Sequence, residues 1–236
     1  MKALIFAAGW GERMRPLTER TPKPLLAVGD TPLIVWHLRK LAALGVDEVV
    51  VNTSWLAEQF PQVLGDGSTL GLRLHYSFEG AAPLETGGGM LHALPLLGDA
   101  PFLLVNGDIW SDFDFARLSR APAGLAQLVL VDKPAYAAHA DFALQADGKV
   151  RADLPATHTY AGIGVFRPAL LHDWQSVIGP LPEQAGATPR FALAPILRAQ
   201  MAAGLIDGIL HSGRWTDVGT PQRLAELDAQ LLRDRG

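Results

Sequence analysis

Short apolar runs and helix patterns alternate through the first half of the sequence, and this alternation constrains the fold more than any other feature. Strand-like runs cover residues 3–7, 48–52, 72–78 and 101–105. The first is apolar throughout and runs into a glycine, as expected of a strand buried on both faces. Strands separated by helices predict a Rossmann-like α/β fold with a mostly parallel sheet and flanking helices.

Capping residues predict where several helices begin and end. Thr-Pro pairs at positions 31–32 and 220–221 each predict an N-cap followed by proline at the first helical position. Gly45 is a natural stop for the first of these helices. Ser54 is predicted to cap a helix that ends near Gly65.

The second half is less regular and predicts a small β-rich part. Its patterns are strands at 127–131 and 160–166, a hairpin over 141–151 with an Asp-Gly turn, a loop at 179–189 and a helix at 191–203. No repeat, low-complexity tract or clean linker interrupts the chain, and no hexapeptide β-helix repeat follows the α/β region. We therefore expect residues 1–236 to form a single domain.

Composition and charge narrow the classes of function. The formal net charge of −4 gives no basic field for nucleic acid, so a nucleic-acid partner is not expected. The absence of cysteine excludes disulfides, thiolate metal sites and a cysteine nucleophile, and fits a reducing cytoplasm. The apolar stretch at 1–8 is too short for a signal-peptide core, and no run approaches the roughly 18 apolar residues of a membrane helix. We expect a cytoplasmic protein with no membrane partner.

A glycine loop follows the first strand directly. Gly9 and Gly11 allow backbone N–H groups to approach phosphate oxygens, and Arg13, Arg15 and Lys23 supply positive charge in an acidic chain. A triphosphate needs such a cradle. Taken alone, Gly-x-Gly indicates only a glycine-rich turn with surface arginines, because it matches neither the Walker nor the dinucleotide-binding fingerprint.

The full string is more specific. Gly-x-Gly-x-Arg-Met-x-Pro-Leu-Thr over residues 9–18, followed by Pro-Lys-Pro at 22–24, resembles the signature of the sugar-phosphate nucleotidyltransferase family. The resemblance covers about fifteen positions in order. Trp10 departs from the family pattern, and its side chain is predicted to point outward from the loop. The resemblance implies the GT-A-like fold of nucleotidyltransferases, with nucleotide bound by the N-terminal half and sugar phosphate by the C-terminal half.

For the loop itself, the resemblance implies two catalytic residues, Arg13 and Lys23. Arg13 would neutralise the triphosphate tail, and Lys23 would contact the reacting phosphates. Arg15 is either a third phosphate contact or an ordinary surface charge. The nucleotide-binding residues implied for this loop are Ala8, Gly9, Gly11, Glu12, Arg13 and Lys23.

Two aspartates are candidates for a magnesium site. Asp108 follows the apolar run that ends at Val105, and Asp217 precedes the last helix. Mg²⁺ prefers one or two carboxylates together with water or phosphate oxygens. Asp108 is alternatively a turn residue, and Asp217 a helix-capping residue. Both stand at positions that match the family's metal ligands, in Gly-Asp and Trp-x-Asp-x-Gly-Thr contexts, so Mg²⁺ is the cofactor that the resemblance implies.

Three consecutive glycines enter a predicted helix at residues 87–89. Glycine costs a helix about 1 kcal/mol relative to alanine, so a compensating contact is expected, and a flat nucleobase is a natural candidate. A flexible loop is the alternative. In the family this region binds the base, which implies nucleotide contacts by Glu79, Glu85, Thr86, Gly87 and Gly88. Glu79 or Glu85 would accept the N3–H of uracil, which favours a pyrimidine.

The acceptor pocket is less defined. The resemblance implies substrate contacts by Asn106, Asp141, Gly162 and Arg190. Asp141 would accept bonds from sugar hydroxyls, or it is a surface carboxylate at the start of the hairpin. Arg190 would meet an anionic group, although close relatives have lysine where this chain has Ala192.

Together these residues predict transfer of a nucleotidyl group from a nucleoside triphosphate to a sugar 1-phosphate, with release of pyrophosphate. Within the family, the chain resembles short, single-domain uridylyltransferases most, which implies UTP as donor and N-acetylmuramate 1-phosphate of bacterial cell-wall recycling as acceptor. The alternatives are another sugar-1-phosphate nucleotidyltransferase, such as a mannose-1-phosphate guanylyltransferase, and a non-catalytic nucleotide-sensing subunit.

Overall fold

The computed structural model describes residues 1–181 and 188–234. The predicted loop at 179–189 lies mostly outside these residues. In chain order, the strands are β1 (Ala3–Phe6), β2 (Ala27–Val28), β3 (Thr31–Pro32), β4 (Glu48–Thr53), β5 (Arg73–Phe78), β6 (Phe102–Asn106), β7 (Ile109–Ser111), β8 (Ala126–Asp132), β9 (Ala143–Leu144), β10 (Val150–Arg151), β11 (His158–Phe166), β12 (Ile206–His211) and β13 (Trp215–Asp217). The α-helices are α1 (Leu33–Ala43), α2 (Gln59–Leu64), α3 (Glu85–Leu97), α4 (Trp174–Ile178), α5 (Ala194–Ala202) and α6 (Pro221–Arg233).

A seven-stranded sheet forms the centre of the molecule, in the order β12-β8-β11-β6-β1-β4-β5. β1 pairs in parallel with β4 and β6, and β4 with β5. β8 and β12 are also parallel, and β11 runs antiparallel to both of its neighbours, β6 and β8. The sheet is therefore mostly parallel, as the alternation of strands and helices predicts.

Both faces of the sheet are buried. Successive side chains of each inner strand point to opposite faces, so each strand contributes to two hydrophobic clusters. Ile5 and Val51 join one hydrophobic cluster, which includes α1 residues such as Leu38. Leu4 and Val50 join another, with α3 and α5. Strands covered on both sides read as continuous apolar runs, which explains why residues 3–7 show no alternation.

Two predicted helix starts are wrong. Thr31 does not cap α1, because it pairs with Val28 in the small β2–β3 ladder, and the helix begins after Pro32. Ser54 does not cap α2 either; its hydroxyl donates to the Gly80 carbonyl at 2.8 Å, and the helix starts five residues later. The Thr31 backbone and the Ser54 hydroxyl are thus used at strand ends instead of helix ends.

Other local predictions are confirmed. Thr220 caps α6 by accepting a hydrogen bond from the Arg223 N–H at 3.3 Å. β9 and β10 form the antiparallel hairpin expected over 141–151. The helix predicted over 191–203 starts later than expected, at Ala194. In residues 1–181 and 188–234, none of the helices is long and apolar enough to span a membrane.

His37 fastens α1 to β7. Its Nε2 lies 2.7 Å from the Ile109 carbonyl oxygen and donates to it, and the side chain is buried. Burial lowers the pKa of His37 from 6.5 to about 4, because the charged imidazolium is poorly solvated there. The unfolded chain therefore binds one more proton than the folded chain between these two pH values.

We expect acid to destabilise the fold through His37. The contribution of neutral His37 to the free energy of unfolding should be fully present above about pH 6.5. It should fall by about 3 kcal/mol as the pH drops toward 4. Urea unfolding at pH 7 and pH 4 measures the loss. His37→Gln keeps an N–H donor but does not titrate, so this variant should lose about 3 kcal/mol less stability between pH 7 and pH 4 than wild type. His172→Gln, a change at an exposed histidine, should lose as much as wild type. Equal pH dependence in all three proteins would contradict the assignment.

Candidate active site

A cavity of about 530 Å³ opens at the carboxyl ends of β1, β4 and β6, the edge where open α/β sheets bind ligands. It is walled by the loop after β1, the start of α3, the turn after β6, and residues from the C-terminal third. The residues predicted from sequence that line it are Ala8, Gly9, Gly11, Glu12, Arg13, Lys23, Glu79, Glu85, Thr86, Asn106, Asp108 and Arg190.

The loop after β1 is folded around Gly11. This residue has φ +64°, a left-handed conformation that favours glycine, and a Cβ there would lie 2.8 Å from Thr18 Cγ2. The Thr18 hydroxyl donates to the Gly11 carbonyl at 2.8 Å. By contrast, a Cβ at Gly9 would meet no atom within 4 Å, so the chain leaves that position open toward the cavity.

Lys23 and Asp108 form an ion pair at the cavity floor. Lys23 Nζ lies 2.7 Å from Asp108 Oδ2, and only 8% of the lysine side chain is exposed, against 41% for the aspartate. In the turn before Asp108, the Gly107 N–H donates to the Phe6 carbonyl at 2.8 Å. A Cβ at position 107 would collide with that carbonyl oxygen, so the turn requires glycine. A buried ammonium beside a half-exposed carboxylate is suited to meet a phosphate and a divalent cation together.

The other loop residues face outward or into the cavity. Within the described part of the chain, the Arg13 guanidinium makes no hydrogen bond or ion pair, and it lines the cavity. It is therefore available to an anionic ligand. Trp10 is 38% exposed but also lines the cavity, so the prediction that its side chain points away from the site is not confirmed.

Asp217 reaches the site through strand pairing. β13 pairs antiparallel with β7, so Asp217 lies opposite Ile109, and the Val218 N–H donates to the Asp108 carbonyl at 2.8 Å. The two aspartates are thus brought to the same ladder. Asp217 does not line the cavity itself. Its carboxylate lies beside Gly219, and Gly219 lines the cavity.

The Asp217 carboxylate has two partners that sequence reasoning missed. Arg223 contacts Oδ1 at 2.8 Å, and the Tyr136 hydroxyl donates to the same oxygen. The Arg223 guanidinium also lies 4.2 Å from the centre of the Tyr136 ring. The Thr220 cap places Arg223 in the first turn of α6, next to Asp217, which is a signal that the sequence contains. No local signal points to Tyr136.

Two carboxylates at this edge could hold a divalent cation. Asp108 and Asp217 offer oxygen ligands beside the paired strands at the cavity rim. Among the residues that the structure describes, no group of three or more His, Cys, Asp or Glu side chains could hold a metal. Mg²⁺ is held by one or two carboxylates and completes its shell with water and substrate phosphates.

The glycine run of α3 has a different role from the one predicted. The N–H groups of Gly87 and Gly88 donate to the Phe191 carbonyl at 2.9 and 3.0 Å. A Cβ at Gly87 would lie 2.5 Å from the Phe191 ring, and one at Gly88 would lie 2.3 Å from the Pro189 carbonyl oxygen. These glycines make room for residues 189–191 and do not line the cavity, so their amides are not free for a nucleobase.

The two glutamates proposed to bind the base differ in their surroundings. Glu79 accepts hydrogen bonds from Asn52 Nδ2 and from the Leu84 N–H, and burial raises its pKa. Glu85 is more exposed, has φ +61°, and pairs with Arg190 at 3.3 Å across the cavity wall. Glu85 is therefore the more accessible carboxylate. Asn52, which sequence reasoning missed, also lines the cavity.

The acceptor residues are only partly brought together. Asn106 lines the cavity. Gly162 does not; with φ +73° it lies against Asn106, where a Cβ would be 2.7 Å from Nδ2. Asp141 is likewise absent from the lining, and it accepts a hydrogen bond from the Tyr160 N–H at 2.9 Å. Gly162 thus leaves room for the Asn106 side chain, and Asp141 stabilises the chain at the start of β11.

A glycine loop, a buried lysine and two aspartates brought together by a strand ladder on a mostly parallel sheet define a nucleotide-binding α/β protein. The chain belongs to the nucleotidyl transferase family, which it matches over residues 2–234. It is 44% identical to an N-acetylmuramate alpha-1-phosphate uridylyltransferase of Neisseria meningitidis serogroup B, with 97% of each chain covered.

More distant relatives show the same family. The chain is 32% identical to the enzyme of the same name from Caulobacter vibrioides, over 97% of this chain and 96% of the relative. It is 31% identical to a mannose-1-phosphate guanylyltransferase of Mycobacterium tuberculosis, over 98% of this chain and 64% of the relative.

Solved structures share the fold. A Bacillus anthracis protein named as a glucose-1-phosphate thymidylyltransferase superposes with a TM-score of 0.81 at 21% identity, over 98% of this chain and 95% of the other. HddC from Yersinia pseudotuberculosis, complexed with GMP-PN, superposes with a TM-score of 0.76 at 16% identity, over 97% and 98%. At these identities the likeness concerns the fold alone.

The two loop glycines should respond differently to alanine. Gly11→Ala should lower the thermal stability, because its left-handed backbone and the close Thr18 methyl oppose a Cβ. Gly9→Ala should leave the stability within about 0.5 kcal/mol of wild type, yet weaken nucleotide binding if the loop backbone holds phosphate. Thermal unfolding and nucleotide titration of both variants measure this, and unchanged binding in Gly9→Ala would argue against the phosphate cradle.

Proposed function

We propose that this protein transfers a uridylyl group from UTP to N-acetylmuramate 1-phosphate, giving the UDP-sugar and pyrophosphate. The observation that carries the proposal is the 44% identity, over nearly the whole of both chains, to an N-acetylmuramate alpha-1-phosphate uridylyltransferase. The relative of the same name from Caulobacter vibrioides supports it. The product would serve bacterial cell-wall recycling in the cytoplasm.

The proposed roles of the residues follow from their charge and position. Backbone N–H groups of residues 8–11 would hold the triphosphate against the carboxyl end of β1, together with Arg13, which has no partner among the described residues. Lys23, fixed by Asp108, would contact the reacting phosphates. The N-terminal half would hold the nucleotide, while Asn106 and Arg190 would meet the sugar phosphate.

The chemistry requires little from the protein beyond alignment and charge. An oxygen of the acceptor phosphate attacks the α-phosphorus of UTP, the bond to the β-phosphate oxygen breaks in line, and pyrophosphate leaves. The attacking phosphate is ionised near neutral pH and needs no general base. Positioning and electrostatic stabilisation by Arg13 and Lys23 therefore provide the rate enhancement. Asp108 and Asp217 would hold Mg²⁺, which supplies neutralisation of phosphate charge when bound.

Substrate profiling tests the proposal. The protein is incubated with Mg²⁺, each of the four ribonucleoside triphosphates, and N-acetylmuramate, N-acetylglucosamine, glucose and mannose 1-phosphates. Pyrophosphate release gives the rate, and mass spectrometry identifies the product. We expect UTP with N-acetylmuramate 1-phosphate to give the highest kcat/KM. Preference for GTP with mannose 1-phosphate would instead support the second candidate, which the 31% identity to a guanylyltransferase favours.

The same assay separates an enzyme from a nucleotide sensor. A sensor would bind a nucleoside triphosphate yet release no pyrophosphate with any acceptor. The Lys23–Asp108 pair and the position of Arg13 in the cavity wall favour the enzyme, because a sensor needs no group at the reacting phosphates.

Asp108→Asn should lower kcat by about 10²- to 10³-fold and change the KM for the sugar phosphate little, because the carboxylate acts on charge at the reacting phosphates. Binding of Mn²⁺ in the presence of UTP, followed by electron paramagnetic resonance, should weaken in parallel. Asp99→Asn is the matched control, since Asp99 is exposed and lies outside the cavity. Wild-type turnover in Asp108→Asn would exclude the metal role.

A further inference from the structure

The Asp217 carboxylate is held through one of its two oxygens. The Tyr136 hydroxyl donates to Oδ1 at 2.5 Å, and Arg223 Nη1 lies 2.8 Å from the same oxygen. Among the residues that the structure describes, none donates a hydrogen bond to Oδ2. A guanidinium that only neutralised the carboxylate would cover both oxygens with its fork, as bidentate arginine–carboxylate pairs do. The contacts therefore leave Oδ2 for another ligand.

The Oδ2 atom of Asp217 lies beside the cavity wall. A Cβ at Gly219 would be 3.0 Å from this oxygen and 2.1 Å from Arg223 Nη2, and Gly219 lines the cavity. Glycine at this position thus leaves room for the guanidinium and places no side chain over Oδ2. The oxygen without a donor is the one that borders the site.

The start of α6 fixes Arg223. Its N–H donates to the Thr220 hydroxyl oxygen at 3.3 Å, which sets the first turn of the helix. Its Nε is buried without a hydrogen-bond partner in the described part of the chain, and only 14% of the side chain is exposed. The guanidinium therefore gains little from this position beyond its contacts with Asp217 and the Tyr136 ring.

Tyr136 comes from a different element, the turn between β8 and β9. The Ala137 N–H donates to the Pro134 carbonyl at 3.0 Å, and Lys133 Nζ donates to the Ala137 carbonyl at 2.8 Å. This closed turn carries the tyrosine ring over the Arg223 guanidinium, 4.2 Å from ring centre to Cζ, and its hydroxyl to Asp217. Two elements distant in sequence thus converge on one carboxylate oxygen.

We propose that Tyr136 and Arg223 are positioning residues for the metal site: by holding Oδ1, they direct Oδ2 of Asp217 toward the divalent cation that accompanies the nucleotide. The inference rests on the proposed function in that Asp217 is taken as a ligand of that cation. Hydrogen-bond partners of a ligating carboxylate fix its orientation, and their loss costs about 10- to 100-fold in metal affinity or activity. The alternative, that both donors compete with the cation for Asp217, predicts a change of the opposite sign.

Charge-conserving variants provide the test. Tyr136→Phe removes the hydroxyl and keeps the ring over the guanidinium, whereas Arg223→Lys keeps the positive charge and loses the planar fork. Neither variant changes the net charge, so a change in cation affinity reports the orientation of Asp217 and not long-range repulsion.

Matched controls alter the same groups elsewhere. Tyr76→Phe removes a hydroxyl that donates to the Gly65 carbonyl at 2.6 Å, and Arg151→Lys alters an arginine that pairs with Asp153. Both positions lie outside the cavity.

The measurement is calorimetric titration of UTP, once with Mg²⁺ and once with EDTA. The ratio of the two dissociation constants reports how much the cation strengthens nucleotide binding. Each variant should lower this ratio toward 1, by about 10-fold, while affinity in EDTA stays within about 2-fold of wild type. The Mg²⁺ concentration that gives half-maximal rate should rise by about 10-fold. The controls should change neither quantity, and a merely structural contact would change the melting temperature without changing the ratio.

A double variant tests whether the tyrosine hydroxyl acts through the carboxylate. Asp217→Asn should lower the ratio by itself. When Tyr136→Phe is added to it, the ratio should change by less than about 2-fold, because the ligand that the hydroxyl orients is already lost. A full effect of Tyr136→Phe in both backgrounds would contradict action through Asp217.

The outcomes separate this inference from the proposed function. A ratio that rises in Tyr136→Phe, or stays at the wild-type value in both variants, would overturn the inference even if the enzyme transfers uridylyl groups normally. If wild-type protein binds UTP more tightly with Mg²⁺ but transfers nothing, the proposed function fails, and the ratios still decide the role of Tyr136. If Arg223→Lys does not fold, Tyr136→Phe decides alone, since it removes one hydroxyl from a side chain that is 52% exposed.

Discussion

The ladder between β7 and β13 is the constraint on which the site depends. These strands are distant in sequence, and their pairing places Asp217 opposite Ile109. The Val218 N–H closes the ladder on the Asp108 carbonyl itself. Without this pairing, the C-terminal carboxylate would have no fixed relation to the turn after β6. The hydrogen bond from His37 to Ile109 holds the ladder against α1 from the other side.

Much of this arrangement could be predicted from the sequence, since it depends on local rules. A run such as residues 3–7 is apolar because β1 is covered on both faces, and a loop at its carboxyl end must face the ligand edge. The same rule predicts Lys23 and Asp108 at this edge, and the structure joins them. The failures have a common cause: Thr31 and Ser54 have the right chemistry for N-caps, but a short ladder and a partner distant in sequence engage them instead.

The glycine run shows the same limit more clearly. Its composition correctly implies a close approach to the helix, but not what approaches. Gly87 and Gly88 admit residues 189–191, and Gly89 admits the Asn52–Glu79 pair. Three adjacent glycines are thus required by two separate contacts. Since residues 189–191 and Asn52 are far from α3 in sequence, helix propensity and spacing could not identify these contacts.

The Lys23–Asp108 pair is better explained by ligand binding than by stability. Withdrawing an ammonium from water is costly, and one partly exposed carboxylate returns only part of that cost. An apolar residue would pack this position at lower cost, but it would offer nothing to a polyphosphate. Arg13, with no partner in the described residues, presents the same imbalance. The protein as a whole is acidic, yet it places two cationic side chains in one cavity. An anionic ligand would balance their positive charge.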